Sequence, residues 1–517
     1  MNPNLVFVAR RSQILILGIF ICLNTLLYWN AQPYIDEGIE LHPAFAHAAD
    51  GHRYWGVAIN ITQGLGFVYD DTNVYENNSF SPTKYYRTEP KLASLVRGGP
   101  ITPLVFSIPI RLFGLDGAAP FIVSFQCVLL YMIGLLARRL ASPFGVNKTI
   151  VQGLCIFNPT LIVSAHHAQS EIIFCTCLTL LLVCIFWILD KKLNLFSFII
   201  LGVLSGLLPL IRAPGWYFVL TIPVILLVIG LVKKLQGHHI RLWVASFYTL
   251  ISIIVALSFM SPWLIHQFKI SGSFSPYPNS HISLRDNYVT LMGYAVVPKS
   301  NDFKDKQLQN LQTIVQNNSR LLDPHTDCVI TYAQLESSSE AASLQNVQNF
   351  IPIGMRNPSR HCDQIISRAL IMSIIQQPLN VQLKAVSHGL TRTFVSGGGT
   401  GLTNYLGIDS GLENTDVFTM FHTIFKDLKD YQNFVAAFLD FNLSYIVVYL
   451  LPLVFALAGR LLGIAGLLTS IRISRLLPHN IFLLATIFIF CTTYLFIGAN
   501  RFRAPLEPIL MIYATIG

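Results

Sequence analysis

Charge is scarce in this sequence. Only 12% of the 517 residues are Asp, Glu, Lys or Arg, against 53% hydrophobic residues, and the mean hydropathy is +0.54. A soluble domain carries about 25% charged residues, so an ordinary cytosolic globular protein is excluded. Disorder is excluded as well, because it needs high charge and little apolar content. The sequence also lacks a Cys-x-x-Cys pair, a His-rich metal spacing, an internal repeat and a low-complexity tract. Seven of the nine cysteines (Cys22, Cys127, Cys155, Cys175, Cys177, Cys184 and Cys491) lie in apolar blocks, where a thiol behaves as a small hydrophobe. Cys328 and Cys362 lie in a long polar stretch and could pair only if that stretch faces an oxidising space.

What the sequence does contain is apolar blocks long enough to cross a bilayer. Its net charge of +9 would suit a nucleic-acid binder, but the distribution argues for a lipid bilayer and against nucleic acid. Residues 266–442 hold 13 basic and 14 acidic residues, and 31–97 hold 5 basic and 8 acidic. The apolar remainder keeps 17 basic residues and 4 acidic ones. Spans are predicted at 13–29, 118–136, 149–165, 171–189, 195–211, 216–232, 243–264, 443–461, 479–498 and 504–517. The first is read as a retained helix rather than a cleaved signal peptide. The segment 100–114 is apolar but short and holds Pro100, Pro103, Pro109 and Arg111, so it reads as interfacial.

With the N-terminus inside, the inner loops collect Arg10, Arg11, Arg138, Arg139, Lys148, Lys191, Lys192, Lys233, Lys234, Arg241, Arg460, Arg472 and Arg475. These 13 basic residues face one acid, Asp190. That is the positive-inside pattern. The expected fold class is therefore mainly α: a polytopic membrane protein with about ten transmembrane helices, outer juxtamembrane helices and a large outer mixed loop region. The expected organisation is a membrane catalytic module at 1–265 with a first outer loop at about 31–117. An outer region at 266–442 follows, with a helical signal at 364–394 and a Gly397-Gly398-Gly399 turn, and then C-terminal helices at 443–517.

Ionisable residues at the ends of apolar segments are costly near a membrane and point to a site. The outer rim of this drawing collects Asp50, His52, Arg53, Glu89, Arg97, His166, His167, Glu171, Arg212, Arg501 and Arg503. Acids and arginines on one face suit transfer from a phosphate-linked donor. A carboxylate takes the proton of an attacking hydroxyl, and arginines hold a leaving phosphate in bidentate fashion. Each residue also has a plainer reading. Asp50 could be a helix N-cap, and Glu171 an acid favoured by a helix start. Arg212 could snorkel to headgroups. The His166-His167 pair reads as interfacial polar residues or as ligands of a divalent metal, which the pattern leaves open. Glu507 is expected to pair with Arg501 or Arg503.

Five segments, in order, resemble the polytopic C-superfamily of glycosyltransferases, in particular its protein O-mannosyltransferase-like and aminoarabinose-transferase-like branch. They are Asp50 and Tyr54 with Gly64 and Gly66; Arg97, Pro100 and Pro103 with Phe113-Gly114; Asn158-Pro159 with Ser170-Glu171; Leu210, Arg212 and Pro214; and Arg501 to Pro508. The resemblance runs along nearly the whole chain. It implies a polyprenyl-phosphate sugar donor and an acceptor protein, lipid or glycan. The active site would lie on the outer face of a bacterial inner membrane, and the reaction would be inverting, with Asp50 as base. Asp50 is followed by Gly51 and His52, where the family often has a second acid, and Glu89 is the first-loop acid available to replace it. Glu171 joins the catalytic group. Arg212, Arg501, Arg503, Arg53 and Arg97 would bind the donor phosphate, and His52, His166 and His167 would line the substrate site. The competing readings are a lipid- or glycan-modifying transferase of the same fold, a transporter or flippase, and a scaffold. A transporter should carry charges near the bilayer midplane and two repeated halves; here the spans are nearly clean and the charges gather at the rim.

Overall fold

The computed structural model describes residues 3–36, 39–46, 51–70, 92–94, 99–190, 194–235, 242–271, 274, 371, 374–395, 399–408, 443–493 and 503–517. The chain is mainly α. Helix α1 spans Pro3–Trp29, and two short helices, α2 (Pro43–Ala46) and α3 (Gly51–Thr62), follow. Two antiparallel strand pairs flank them, Tyr34–Asp36 with Ile39–Leu41 and Val68–Asp70 with Leu92–Ser94. The bundle continues with α4 (Ile101–Leu140), α5 (Lys148–Ile156), α6 (Pro159–His166), α7 (Glu171–Asp190), α8 (Leu195–Ile211), α9 (Gly215–Leu235) and α10 (Leu242–Ser271). Helices α11 (Leu379–Val395) and α12 (Gly399–Tyr405) precede α13 (Leu443–Ile471), α14 (Leu477–Thr493) and α15 (Glu507–Ile516).

Among the described residues, six helices are long and apolar enough to cross a membrane: Arg11–Trp29, Gly117–Phe144, Glu171–Asp190, Ser246–Lys269, Val447–Ile471 and Ser474–Thr493. The bent pair α5–α6 makes a seventh candidate. Shorter apolar helices at Leu195–Ile211, Gly215–Val224 and Ala504–Ile516 fall where three further spans are expected.

Several boundaries differ from expectation, each for a local reason. The segment at 100–114 is helical and joins the next span through a kink at Gly114, whose φ of 72° is a left-handed value that glycine adopts at no steric cost. The expected span 149–165 is two helices bent by 48°. The first ends at Ile156 with Phe157 as its C-cap, and Asn158 caps the second, its Oδ1 accepting from Thr160 N at 3.0 Å and Leu161 N at 3.3 Å. Pro159 sits at the first helical position, where its missing N–H costs nothing. The helical signal at 364–394 is interrupted before Pro378, because proline disfavours the helical conformation in the residue before it. Helix α13 runs on to Ile471 instead of ending near 461, so Arg460 lies within a helix and not in a loop.

The helices pack as one body. A single buried cluster takes Phe106 and Ala118 from α4, Leu178 from α7, Leu208 from α8, Phe218 from α9, Phe482 from α14 and Ile509 and Tyr513 from α15. Helices α13 and α15 run side by side in the same direction, with Gly459 against Met511 and Gly466 against Tyr513 and Gly517. The outward face of α13 is apolar and exposed at Leu451, Val454, Leu461, Ile464 and Leu468, as a lipid-facing helix requires. The seven cysteines in apolar blocks are all free thiols. Cys328 and Cys362 lie outside the described residues.

Candidate functional site

Glu171 opens α7 after a tight run, His167 to Ser170, that three neighbours hold in place. Ala168 N donates to Ala44 O at 2.9 Å, and Gln126 Nε2 to His167 O at 2.8 Å. Ser170 Oγ donates to Tyr54 Oη of α3 at 3.0 Å. Arg212 ends α8. Its N–H still donates to Leu208 O at 3.0 Å, but its backbone has turned extended, with φ −155° and ψ 145°. Pro214 follows, and Gly215 N donates back to Arg212 O at 2.9 Å. The chain at Gly99 passes so close that a Cβ there would lie 1.9 Å from Leu210 O.

These two segment ends bring Arg212 Nη1 to 2.6 Å from Glu171 Oε1, with side-chain exposures of 11% and 2%. The charge-assisted contact joins one residue expected in catalysis to one expected on a phosphate. Such a pair is worth roughly twice a neutral hydrogen bond, and in a site this dry each charge depends on the other.

One turn deeper lies a second ionic group. Glu507 accepts from Arg503 Nε, from Arg460 Nη2 at 2.5 Å and from Asn158 Nδ2 at 2.9 Å. Arg503 also donates to Thr160 Oγ1 at 2.8 Å and to Thr393 O, while Arg460 Nε donates to Phe394 O at 3.3 Å. Both carbonyls belong to the last turn of α11, the negative end of a helix dipole. The group therefore clasps α11 onto α5, α6, α13 and α15. The Sγ of Cys175, on the turn of α7 after Glu171, reaches Ala504 O at 3.6 Å, which links the clasp to the pair above it. The expected pairing of Glu507 falls on Arg503. That arginine is expected on a donor phosphate, yet its side chain is 0% exposed and its guanidinium faces Glu507, Thr160 and α11.

A third group surrounds Tyr405. Its ring lies edge-on to His42 and His166, at centroid distances of 6.2 and 5.3 Å, and 5.6 Å from His167. His42 stacks on Tyr28 at 4.5 Å. The Nδ1–H groups of His166 and His167 donate to Ile162 O and Val163 O of the preceding turn, at 2.9 and 2.8 Å. Both expected substrate-site histidines are thus buried and committed to local contacts. His42 Nδ1 accepts from Ala44 N at 3.1 Å, which leaves its proton on Nε2. Burial, and then the neighbouring His166 and His167, push the His42 imidazole down to about 4.

The remaining expected residues lie wholly or partly outside the described residues. His52 and Arg53 lie on α3 beside Tyr54, with side chains outside the described residues. Asp50, Glu89, Arg97 and Arg501 also lie outside them. Among the described residues, no three His, Cys, Asp or Glu side chains gather to hold a metal ion. His42, Tyr405 and Arg460 were not singled out from the sequence as site residues. Arg460 had a usable signal, an arginine between apolar runs.

Fold and site together define a helical protein with several candidate membrane spans and a buried acid–arginine pair at one end of the bundle. No family model and no curated protein sequence matches the chain. Two solved structures are similar to it, both of ArnT from Cupriavidus metallidurans. One, bound to undecaprenyl phosphate, has 11% identity and a TM-score of 0.37 over 98% of this chain and 77% of that one. The other, in the apo state, has 12% identity and a TM-score of 0.36 over 97% and 77%.

Proposed function

We propose that the protein is a membrane glycosyltransferase that moves a sugar from a polyprenyl phosphate to an acceptor hydroxyl on a protein, lipid or glycan, at the outer face of a bacterial inner membrane. The observation that carries this reading is the Glu171–Arg212 pair, beside the Ser170–Tyr54 contact. Transfer of this kind needs an acid close to a phosphate-holding arginine, on segments rigid enough to keep them in register. In this reading Asp50, just ahead of α3 in sequence, removes the acceptor's proton, with Glu89 as the accompanying first-loop acid. Arg212, with Arg53, Arg97 and Arg501, receives the charge that grows on the leaving phosphate, while Arg503, fully buried against Glu507, braces the helices behind it. His52, His166 and His167 shape the substrate site. In this reading the regions 31–117 and 266–442 belong to the outer side.

The test is an in vitro transfer assay on the purified full-length chain with a panel of polyprenyl-phosphate sugars. Transfer from at least one donor is expected, and it should fall when Arg212 is changed to Ala. A folded protein inert toward every donor and acceptor class would reject the reading and favour a transporter.

A further inference from the structure

We infer that Glu171 is a positioning residue that parks Arg212 and releases it to the phosphate of an arriving polyprenyl phosphodiester. This rests on the transferase reading above and adds to it how the donor phosphate gains its arginine. Three features of the pair lead here. The backbone of Arg212 is fixed by the bonds to Leu208 O and from Gly215 N and by the close passage of Gly99 against Leu210. Any movement of Arg212 is therefore confined to its side chain beyond Cβ. Of the two side chains, that of Arg212 is the more exposed, 11% against 2%, so an incoming anion meets Arg212 before it meets Glu171. Glu171 is also the first residue of α7, where the positive end of the helix dipole still supports its carboxylate once the guanidinium has turned away. The ion pair around Glu507 offers a contrast: Arg503 and Glu507 are both 0% exposed, and neither can be offered to a ligand in the same way.

Carboxylate and phosphate compete for one guanidinium, since both match its planar fork. Glu171 therefore weakens donor binding and speeds release of the lipid phosphate product. Glu171→Gln keeps the shape and removes the competing charge. Binding of a polyprenyl methyl phosphodiester to the full-length protein in nanodiscs should tighten about tenfold, the factor expected when a charge-assisted contact no longer has to be broken. In steady-state transfer, KM and kcat should fall together, because product leaves more slowly. Glu171→Asp retains the charge on a shorter stem and should bind the probe with an affinity between the two.

Unchanged or weaker probe binding in Glu171→Gln, with a wild-type melting temperature, overturns the inference: unchanged binding with lost turnover marks Glu171 as a base, and weaker binding marks a structural brace. If Glu171→Gln does not fold, Glu171→Asp decides by the same comparison. Tightened probe binding without sugar transfer by the wild type leaves the inference standing and removes the transferase reading. Absence of probe binding to wild type and variants alike overturns the inference.

Discussion

Arg212 and Arg503 show how far one side chain's surroundings decide its use. Both stand where an arginine on a donor phosphate is expected, yet one keeps an exposed edge and the other is sealed among Glu507, Thr160 and Thr393. A fully buried guanidinium with that many partners holds helices together; a partly exposed one has room to change partner. For the proposed base, Asp50→Asn keeps a side-chain oxygen able to cap α3 but removes basicity. Transfer should fall by roughly 100- to 10,000-fold at normal expression, and near-normal turnover would assign Asp50 to the cap. His42 gives a prediction on pH. Its folded value of about 4 lies below the ordinary 6.5, so between those two values the unfolded chain binds a proton that the folded chain refuses. Stability from this group is complete above 6.5 and is lost as pH falls from 6.5 toward 4. His42→Phe keeps a ring on Tyr28 and does not titrate. Melting temperatures at pH 7 and pH 4.5 should therefore differ less for the variant than for wild type; an equal drop in both would refute the assignment.

At the scale of elements, the clasp around Glu507 ties distant parts of the chain together: Asn158 lies 349 residues from Glu507, and Thr393 lies 110 from Arg503. Glu507→Ala leaves two guanidiniums facing each other without their carboxylate. Breaking a buried pair in this way costs about 3–5 kcal/mol, so thermal unfolding in detergent should shift down sharply. Replacing Asn158 by Ala removes a helix cap worth ~1 kcal/mol and one hydrogen bond, so its shift should be the smaller of the two; the reverse order would contradict the clasp. The sequence made some of these elements legible and hid others. The pattern of apolar blocks marked nearly every long helix. Asn158-Pro159 and Pro378 were visible as residues, but hydropathy averaged over them and ran one span or helix through each. Arg460 was counted in a loop because its partner lies 47 residues further on, and no one-dimensional pattern connects the two.

The whole molecule has two chemically different ends, and that bears on how it sits in a membrane. One end carries Glu171, Arg212 and the Tyr405 group. At the other, Phe144 packs on Phe186 and His479, and His479 Nε2 lies 3.1 Å from Asp190 Oδ1. Arg138, Arg139 and Lys148 flank Phe144 in sequence, and Arg472 and Arg475 precede His479, so these basic residues share the end away from Glu171. The single acid of the expected inner side, Asp190, is there too, against a histidine. Arg460 leaves that set for the Glu507 clasp, which lowers the 13 basic residues to 12 and keeps the asymmetry. The proposed orientation, with positive charge retained inside, would put the N-terminus and the Phe144–His479 end inside, and Glu171 with the regions 31–117 and 266–442 outside. Single cysteines placed at residue 340 and residue 237 of a chain stripped of its own cysteines should separate the two sides. A membrane-impermeant maleimide added to intact cells should label 340 and spare 237 until the membrane is opened. Labelling at 237 with protection at 340 would invert the molecule. The Glu171–Arg212 pair would then face the compartment opposite to the one the proposed reaction requires.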